Sequence, residues 1–238
     1  MVTIVNICDG VFLDSDESSG PEQVFHQGRV LYRFMDKFYV RGVTEGLTPI
    51  EVSELCRARA SHPSNILGAN DAVRRLFRDL IRSRKPTRVL EIGAGANPIL
   101  TAAESENSGI QYFASDADPN MPRSQNLFSG MHAVLPHEDG YFDIAIAVFV
   151  LHFHFYRAQI EELARCLSPS GVLVANVYRR SPQSRGALQS AFEATGLAVR
   201  RLEDQSALCS RHEYWVVGKG LDVASEILNE LAAICSSR

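Results

Sequence analysis

The sequence predicts an α/β protein: a doubly wound, mostly parallel sheet preceded by an N-terminal helical cap. Three observations carry this. After residue 86 the chain repeats the rhythm strand, turn, helix, the pattern of a parallel sheet covered on both faces. Phe142 to Phe149 is a dominantly apolar run, as a strand buried on both sides requires. Finally, Val89-Leu90-Glu91-Ile92-Gly93-Ala94-Gly95-Ala96-Asn97-Pro98 combines a buried strand, a glycine-punctuated turn and an abrupt helix start. Gly93 and Gly95 lack a Cβ, so the backbone can turn sharply and approach a ligand closely. Asn97 suits a helix cap and Pro98 the first helical position.

Taken in order, the first eleven or so residues predict a short strand, and the acidic, Ser/Gly-rich stretch Asp14 to Glu22 a loop. Val24 to Val40 is dense in aromatics, and the seven-residue spacing of Phe25, Tyr32 and Tyr39 predicts one helical face. Thr48-Pro49-Ile50-Glu51 is a capping box that opens a short helix ending near His62-Pro63. Ile66, Val73, Leu76, Phe77, Leu80 and Ile81 line one side of a longer helix that stops at Lys85-Pro86. Arg88 to Ile92, Gln111 to Ser115, Phe142 to Phe149 and Gly171 to Tyr178 follow as strands. Pro98 to about Ser105, Tyr156 to Cys166 and Gln183 to Thr195 are the intervening helices. No crossover helix separates Leu197–Leu202 from His212–Val217, so one of these two strands runs antiparallel to the sheet. Asp222 to Ile234 is an amphipathic helix whose Val223, Ile227, Leu228 and Leu231 stripe packs on the domain or on a second copy, giving a homodimer. The expected division is a cap at residues 1–85, a ligand-binding domain at 86–220 and a C-terminal helix at 221–238.

Composition narrows the function. The 238-residue chain is long enough for a full core. A net charge of −4 gives no electrostatic reason to bind nucleic acid or an anionic membrane. No apolar run approaches the roughly 20 residues that span a bilayer, and no secretory pattern opens the chain. Five scattered cysteines without a CxxC pair favour reduced thiols and a cytoplasmic location over a disulfide frame or a zinc site.

The ordered motifs resemble the seven-stranded class I S-adenosylmethionine (SAM)-dependent methyltransferase family. Val89 to Gly95 resembles its glycine motif, and Ser115-Asp116-Ala117-Asp118-Pro119 the end of its second strand. Leu135-Pro136, Tyr141-Phe142-Asp143 and Val148 to His152 resemble its fourth-strand region. Leu167 to Leu173 resembles the turn into its fifth strand. The resemblance implies a seven-stranded sheet and SAM as cofactor. It assigns Gly93, Ala94 and Gly95 to the amino-acid and ribose parts of SAM, Glu91 to its ammonium, and Asp116 with Ala117 to the ribose. His132, Ala133 and Val134 flank adenine, while Ala147 and Phe149 face the sulfonium side.

There are departures. Asn97 replaces a third glycine, and no acidic residue precedes Leu135-Pro136, where Met131 and His132 stand instead. A nicotinamide-dinucleotide domain fits less well. It wants G-x-G-x-x-G, whereas here Pro98 holds the third position and Glu91 would repel pyrophosphate.

The catalytic half is less determined. His152 and His154 are candidate bases, or a structural histidine and a helix cap, and Tyr178 either contacts substrate or sulfonium or is a rim aromatic. His26, Tyr32 and Tyr39 of the cap are substrate candidates. The nucleobase-methylation signature and the Pro-Cys nucleophile are both missing after the fourth strand. The leading expectation is therefore methyl transfer to a small molecule, in specialised metabolism, with no metal, nucleic-acid or membrane partner. Two alternatives remain open: attack on the aminocarboxypropyl carbon of SAM, by transfer or cyclisation, releasing methylthioadenosine; or a non-catalytic SAM-binding partner protein.

Overall fold

The computed structural model describes residues 4–8, 11–14, 23–34, 37–39, 46–60, 67–95, 98–118, 128, 130, 133–178, 180–206, 209 and 212–236. Contacts divide the chain into two units, Met1–Ile66 and Leu67–Arg238.

The first unit is a five-stranded antiparallel sheet followed by a helix, not a helical segment. Its strands are β1 (Ile4–Cys8), β2 (Val11–Asp14), β3 (Gln23–His26), β4 (Arg29–Phe34) and β5 (Lys37–Tyr39), in the order β1-β2-β5-β4-β3. The aromatic spacing that suits a helix face instead places Phe25, Tyr32 and Tyr39 on three successive strands. The turn decides the matter. Gln27 and Gly28 both take positive φ (48° and 77°), the backbone of a tight two-residue hairpin whose twist matches its strands. Helix α1 (Pro49–Ala60) starts where expected. Glu51 N–H donates to Thr48 Oγ1 (3.3 Å) and Thr48 N–H to Glu51 Oε2 (2.6 Å), the reciprocal bonds of a capping box.

The second unit opens with α2 (Leu67–Arg84), then β6 (Arg88–Ile92), α3 (Ala102–Ser108), β7 (Gln111–Ser115), β8 (Phe142–Ala147), α4 (Arg157–Cys166), β9 (Leu167–Tyr178), α5 (Pro182–Glu193), β10 (Ala198–Glu203), β11 (His212–Gly218) and α6 (Leu221–Ser236). The sheet order is β10-β11-β9-β8-β6-β7, six strands among the described residues. Strands β7, β6, β8 and β9 are parallel, and β11 runs antiparallel to both of its neighbours. The stretch around Met131 and His132 lies outside the described residues.

Two apolar layers flank this sheet. One gathers Leu90, Ala145, Leu173 and Trp215 with α4 and α5. The other gathers Val89, Ile146, Val174 and Val216 with α2 and α6. Alternate residues of each strand feed opposite layers. Helix α2 belongs to this unit because Val73, Leu76, Phe77, Leu80 and Ile81 are buried in the second layer. The stripe of α6 packs there too: Ile227 and Leu231 are buried, with Val223 and Leu228 against them. Arg84 of α2 pairs with Glu226 and Glu230 of α6 at 2.6 and 3.5 Å. No helix among the described residues is long and apolar enough to cross a membrane.

One helix start moves. The helix after the glycine turn begins at Ala102 rather than Pro98. Ile99 and Leu100 turn inward and are buried, and the capping box is Thr101 with Glu104 (Glu104 N–H to Thr101 Oγ1, 3.2 Å). Burying two apolar side chains outweighs the preference of a proline for the first turn. Asn97 lies outside the described residues.

Candidate active site

Parallel strands carry their ligands at their carboxyl ends, and the chain gathers its unusual backbone there. Gly93 has φ +72°, and a Cβ at this position would lie 2.4 Å from Val150 Cγ2. Gly95 has φ +59° with open space around it. The N–H groups of Gly93 and Ala94 both donate to Ser115 O, at 2.7 and 3.1 Å. Gly95 N–H donates to Asp116 Oδ2 (2.7 Å), and Asp118 N–H to Asp116 Oδ1 (2.8 Å). The glycine turn is thus pinned to the end of β7 by its backbone and by both oxygens of Asp116.

Glu91 lies at the base of this turn. Its side chain is 0% exposed and faces into the protein. Oε2 accepts from Ile99 N–H (2.7 Å) and from the Tyr112 hydroxyl, and Oε1 lies 3.6 Å from Arg74. Burial raises its pKa, and the Tyr112 and Ile99 bonds with the Arg74 charge oppose that rise. Glu91 therefore closes the glycine loop across its base, from β6 to the residue beyond the turn.

Beyond β8 the chain is again strained. Phe149 has φ +54°, a left-handed conformation that costs a side-chain-bearing residue roughly 1–2 kcal/mol. Strain of this kind concentrates at functional sites. Its N–H donates to Oδ1 of the fully buried Asn176 on β9 (2.6 Å). Arg180 supports the following loop: Nε donates to Leu151 O, Nη2 to Phe153 O (2.7 Å) and Nη1 to Ser184 Oγ (2.7 Å).

The rings converge at the same edge. Phe149 lies 6.4 Å from His152, 6.4 Å from Tyr178 and 5.3 Å from His212, and Tyr178 lies 4.4 Å from His212. His212 starts β11 and pairs in register with Tyr178 at the end of β9. Only an antiparallel last strand puts its first residue at the ligand edge. That consequence was available from the sequence, but His212 was not among the residues it pointed to.

The other expected residues separate. His152 is buried and shares the ring cluster, whereas His154 is exposed and its ring packs edge-on against Tyr156 (4.3 Å). Ala147 is wholly buried in the sheet core. Ala117 is half-buried beside Asp116, Ala133 is buried, and Val134 is a large exposed apolar side chain. His132 lies outside the described residues. His26 is half-buried on β3, while Tyr32 and Tyr39 face each other in register on β4 and β5, their side chains outside the described set. All three belong to the first unit.

A family model for a methyltransferase domain matches residues 67–212, more than half of the chain. The chain belongs to this methyltransferase family. Among solved structures it is similar to the citrinin polyketide synthase CMeT domain, at 14% identity and a TM-score of 0.42, over 57% of this chain and 47% of that one. It is also similar to the CurJ carbon methyltransferase (15%, 0.44, 72% and 61%). A third is the magnesium protoporphyrin IX methyltransferase of Synechocystis PCC 6803, solved with bound SAM (16%, 0.41, 64% and 80%). The chain thus spans about half to three-fifths of the first two. No curated protein sequence matches significantly.

The cofactor of this methyltransferase is SAM, and the residues present fit it. Gly93 takes a positive φ where a Cβ would strike Val150, which keeps its backbone bare, and the Asp116 carboxylate stands beside the turn. When bound, SAM supplies an electrophilic methyl on a sulfonium. The chain has to place a nucleophile in line with it and exclude water.

Proposed function

We propose that this enzyme methylates a small molecule held against the aromatic edge formed by Phe149, His152, Tyr178 and His212. That edge is the observation carrying the reading. Its four rings lie within 4.4–6.4 Å of one another along the named contacts, a surface suited to a flat organic acceptor. A net charge of −4 supplies no attraction for a nucleic-acid backbone.

In this reading Gly93, Ala94 and Gly95 hold the amino-acid and ribose parts of the cofactor. Asp116 accepts from the ribose hydroxyls, and Ala133 and Val134 flank the adenine. Glu91 acts through the loop it closes rather than on the ammonium. Tyr178 and Phe149 present ring faces on the sulfonium side, where a cation–π contact is favourable. The proposal includes a cytoplasmic setting, consistent with five dispersed cysteines that form no CxxC pair.

The test is to incubate the purified protein with SAM, alone and with a panel of phenols, enolisable ketones and amines, and to identify the nucleoside by mass spectrometry. The proposal expects acceptor-dependent S-adenosylhomocysteine. Methylthioadenosine formed from SAM alone would overturn it in favour of attack on the aminocarboxypropyl carbon.

A further inference from the structure

His212 is 4% exposed. Its contacts are aromatic, with Phe149 at 5.3 Å and Tyr178 at 4.4 Å. Its Nδ1 is buried without a hydrogen-bond partner among the described residues. A buried ring nitrogen left in this state loses its hydration with nothing in exchange, and a native fold retains few such groups. The backbone of His212 is fully engaged: its N–H donates to Cys209 O (2.8 Å) and its carbonyl accepts from Asp204 N–H (2.9 Å). The backbone is therefore held while the polar atom of the ring is left over. His212 sits at the carboxyl edge of β9, against the strained Phe149.

We propose that His212 receives the methyl acceptor, its Nδ1 taking a hydrogen bond from a hydroxyl on a flat, largely apolar molecule packed against Phe149 and Tyr178. This rests on the small-molecule reading above and adds the residue and the chemical class. Burial pushes the His212 pKa down to about 4, so the ring is neutral at pH 7 and keeps one nitrogen able to accept. A hydroxyl that is to be methylated must lose its proton, so the group facing it must be an acceptor, and His212 supplies one. In the transfer step the oxygen–methyl bond forms as the carbon–sulfur bond breaks, and the electron pair stays on sulfur. The hydroxyl proton moves to Nδ1 and from there to water. The oxygen becomes strongly acidic only as the new bond forms, so a weakly basic imidazole suffices.

The experiment uses the full chain labelled with 15N-histidine and saturated with S-adenosylhomocysteine, titrated with phenol and, separately, with anisole. The two probes share shape and aromaticity, but only phenol can donate. The expected result is that phenol moves the His212 ring-nitrogen resonances and binds about fivefold tighter than anisole, the worth of one neutral hydrogen bond. His212→Phe is expected to bind SAM within twofold of the parent and to lose the preference for phenol. Unmoved His212 resonances, or equal affinity for the two probes, overturn the inference, as does a His212→Phe variant that keeps the preference. The wild-type titration decides even if the variant fails to fold. A SAM titration of the same wild-type sample separates the two levels. No SAM binding overturns the methyltransferase reading as well, whereas SAM binding with an unmoved His212 overturns only the role of His212.

Discussion

Replacing Gly93 with Ala puts a methyl carbon 2.4 Å from Val150 Cγ2, in a backbone held at φ +72°. Carbon atoms attract best at about 3.5–4.0 Å, so Val150 or the turn has to move by more than an ångström. Two costs add. A left-handed backbone on a residue with a Cβ costs roughly 1–2 kcal/mol, and overpacking costs about 1–3 kcal/mol. Gly95 provides the internal control, because it shares the positive φ (+59°) but has nothing within 4 Å of a Cβ. Gly95→Ala therefore incurs only the first cost. The two variants and the double variant Gly93→Ala/Val150→Ala, compared with Val150→Ala alone, are measured for SAM affinity by calorimetry and for stability by urea unfolding. Gly93→Ala is expected to lose about 2–5 kcal/mol, shared between the two readouts, and Gly95→Ala about 1–2 kcal/mol. Truncating Val150 should bring Gly93→Ala to the level of Gly95→Ala. A Gly93→Ala protein with unchanged affinity and stability, or one that Val150→Ala does not improve, refutes the reasoning.

Three further outcomes follow from the same geometry. The His212 pKa is about 4 in the fold against 6.5 in a free imidazole, so between those values the unfolded chain binds more protons. Stability therefore rises with pH across that window and is lost as pH falls through it, by about 3 kcal/mol in all. Urea unfolding at several pH values should show a flatter rise for His212→Phe than for the parent, and parallel profiles would contradict the burial argument. Arg180→Gln removes the guanidinium bonds to Leu151 O and Phe153 O. Hydrogen exchange in residues 151–155 should speed up, with a stability loss of about 1–3 kcal/mol. Glu91→Ala takes the acceptor from Ile99 N–H and the Tyr112 hydroxyl. Unfolding should register about 2–4 kcal/mol, and SAM affinity should fall with the loosened loop.

The alternation after residue 86 was legible because strands and helices have different hydrophobic periods, and the apolar stripes predicted for α2 and α6 are the faces that pack in the second layer. Reading one of the last two strands as antiparallel followed from the missing crossover, and the pairing shows that it is β11. The N-terminal aromatics were not legible in the same way. A spacing of seven fits two helical turns, and it equally fits one aromatic on each of three short strands, as at Phe25, Tyr32 and Tyr39. The hairpin turn at Gln27-Gly28 carried the distinguishing signal. Glu91 shows the limit of a motif: its position on β6 is as expected, but the direction of its carboxylate is set by Tyr112 and Ile99, which come together only in the fold. His212 and Arg180 belong to the same class, since Phe149 lies 63 residues from His212 and Leu151 and Phe153 lie 29 and 27 residues from Arg180.

The measurement closest to the central claim is a calorimetric titration of SAM into the wild-type protein and into Asp116→Ala. The predicted result is a single site that the variant weakens at least tenfold, the loss of hydrogen bonds to a charged acceptor worth about 1.5–3 kcal/mol. A separate loss of about 1–3 kcal/mol in unfolding is expected, because Asp116 also accepts from the Gly95 and Asp118 N–H groups. Absence of binding to the wild type, or equal affinity in the two proteins, would contradict the account of the glycine turn and Asp116 as the cofactor site.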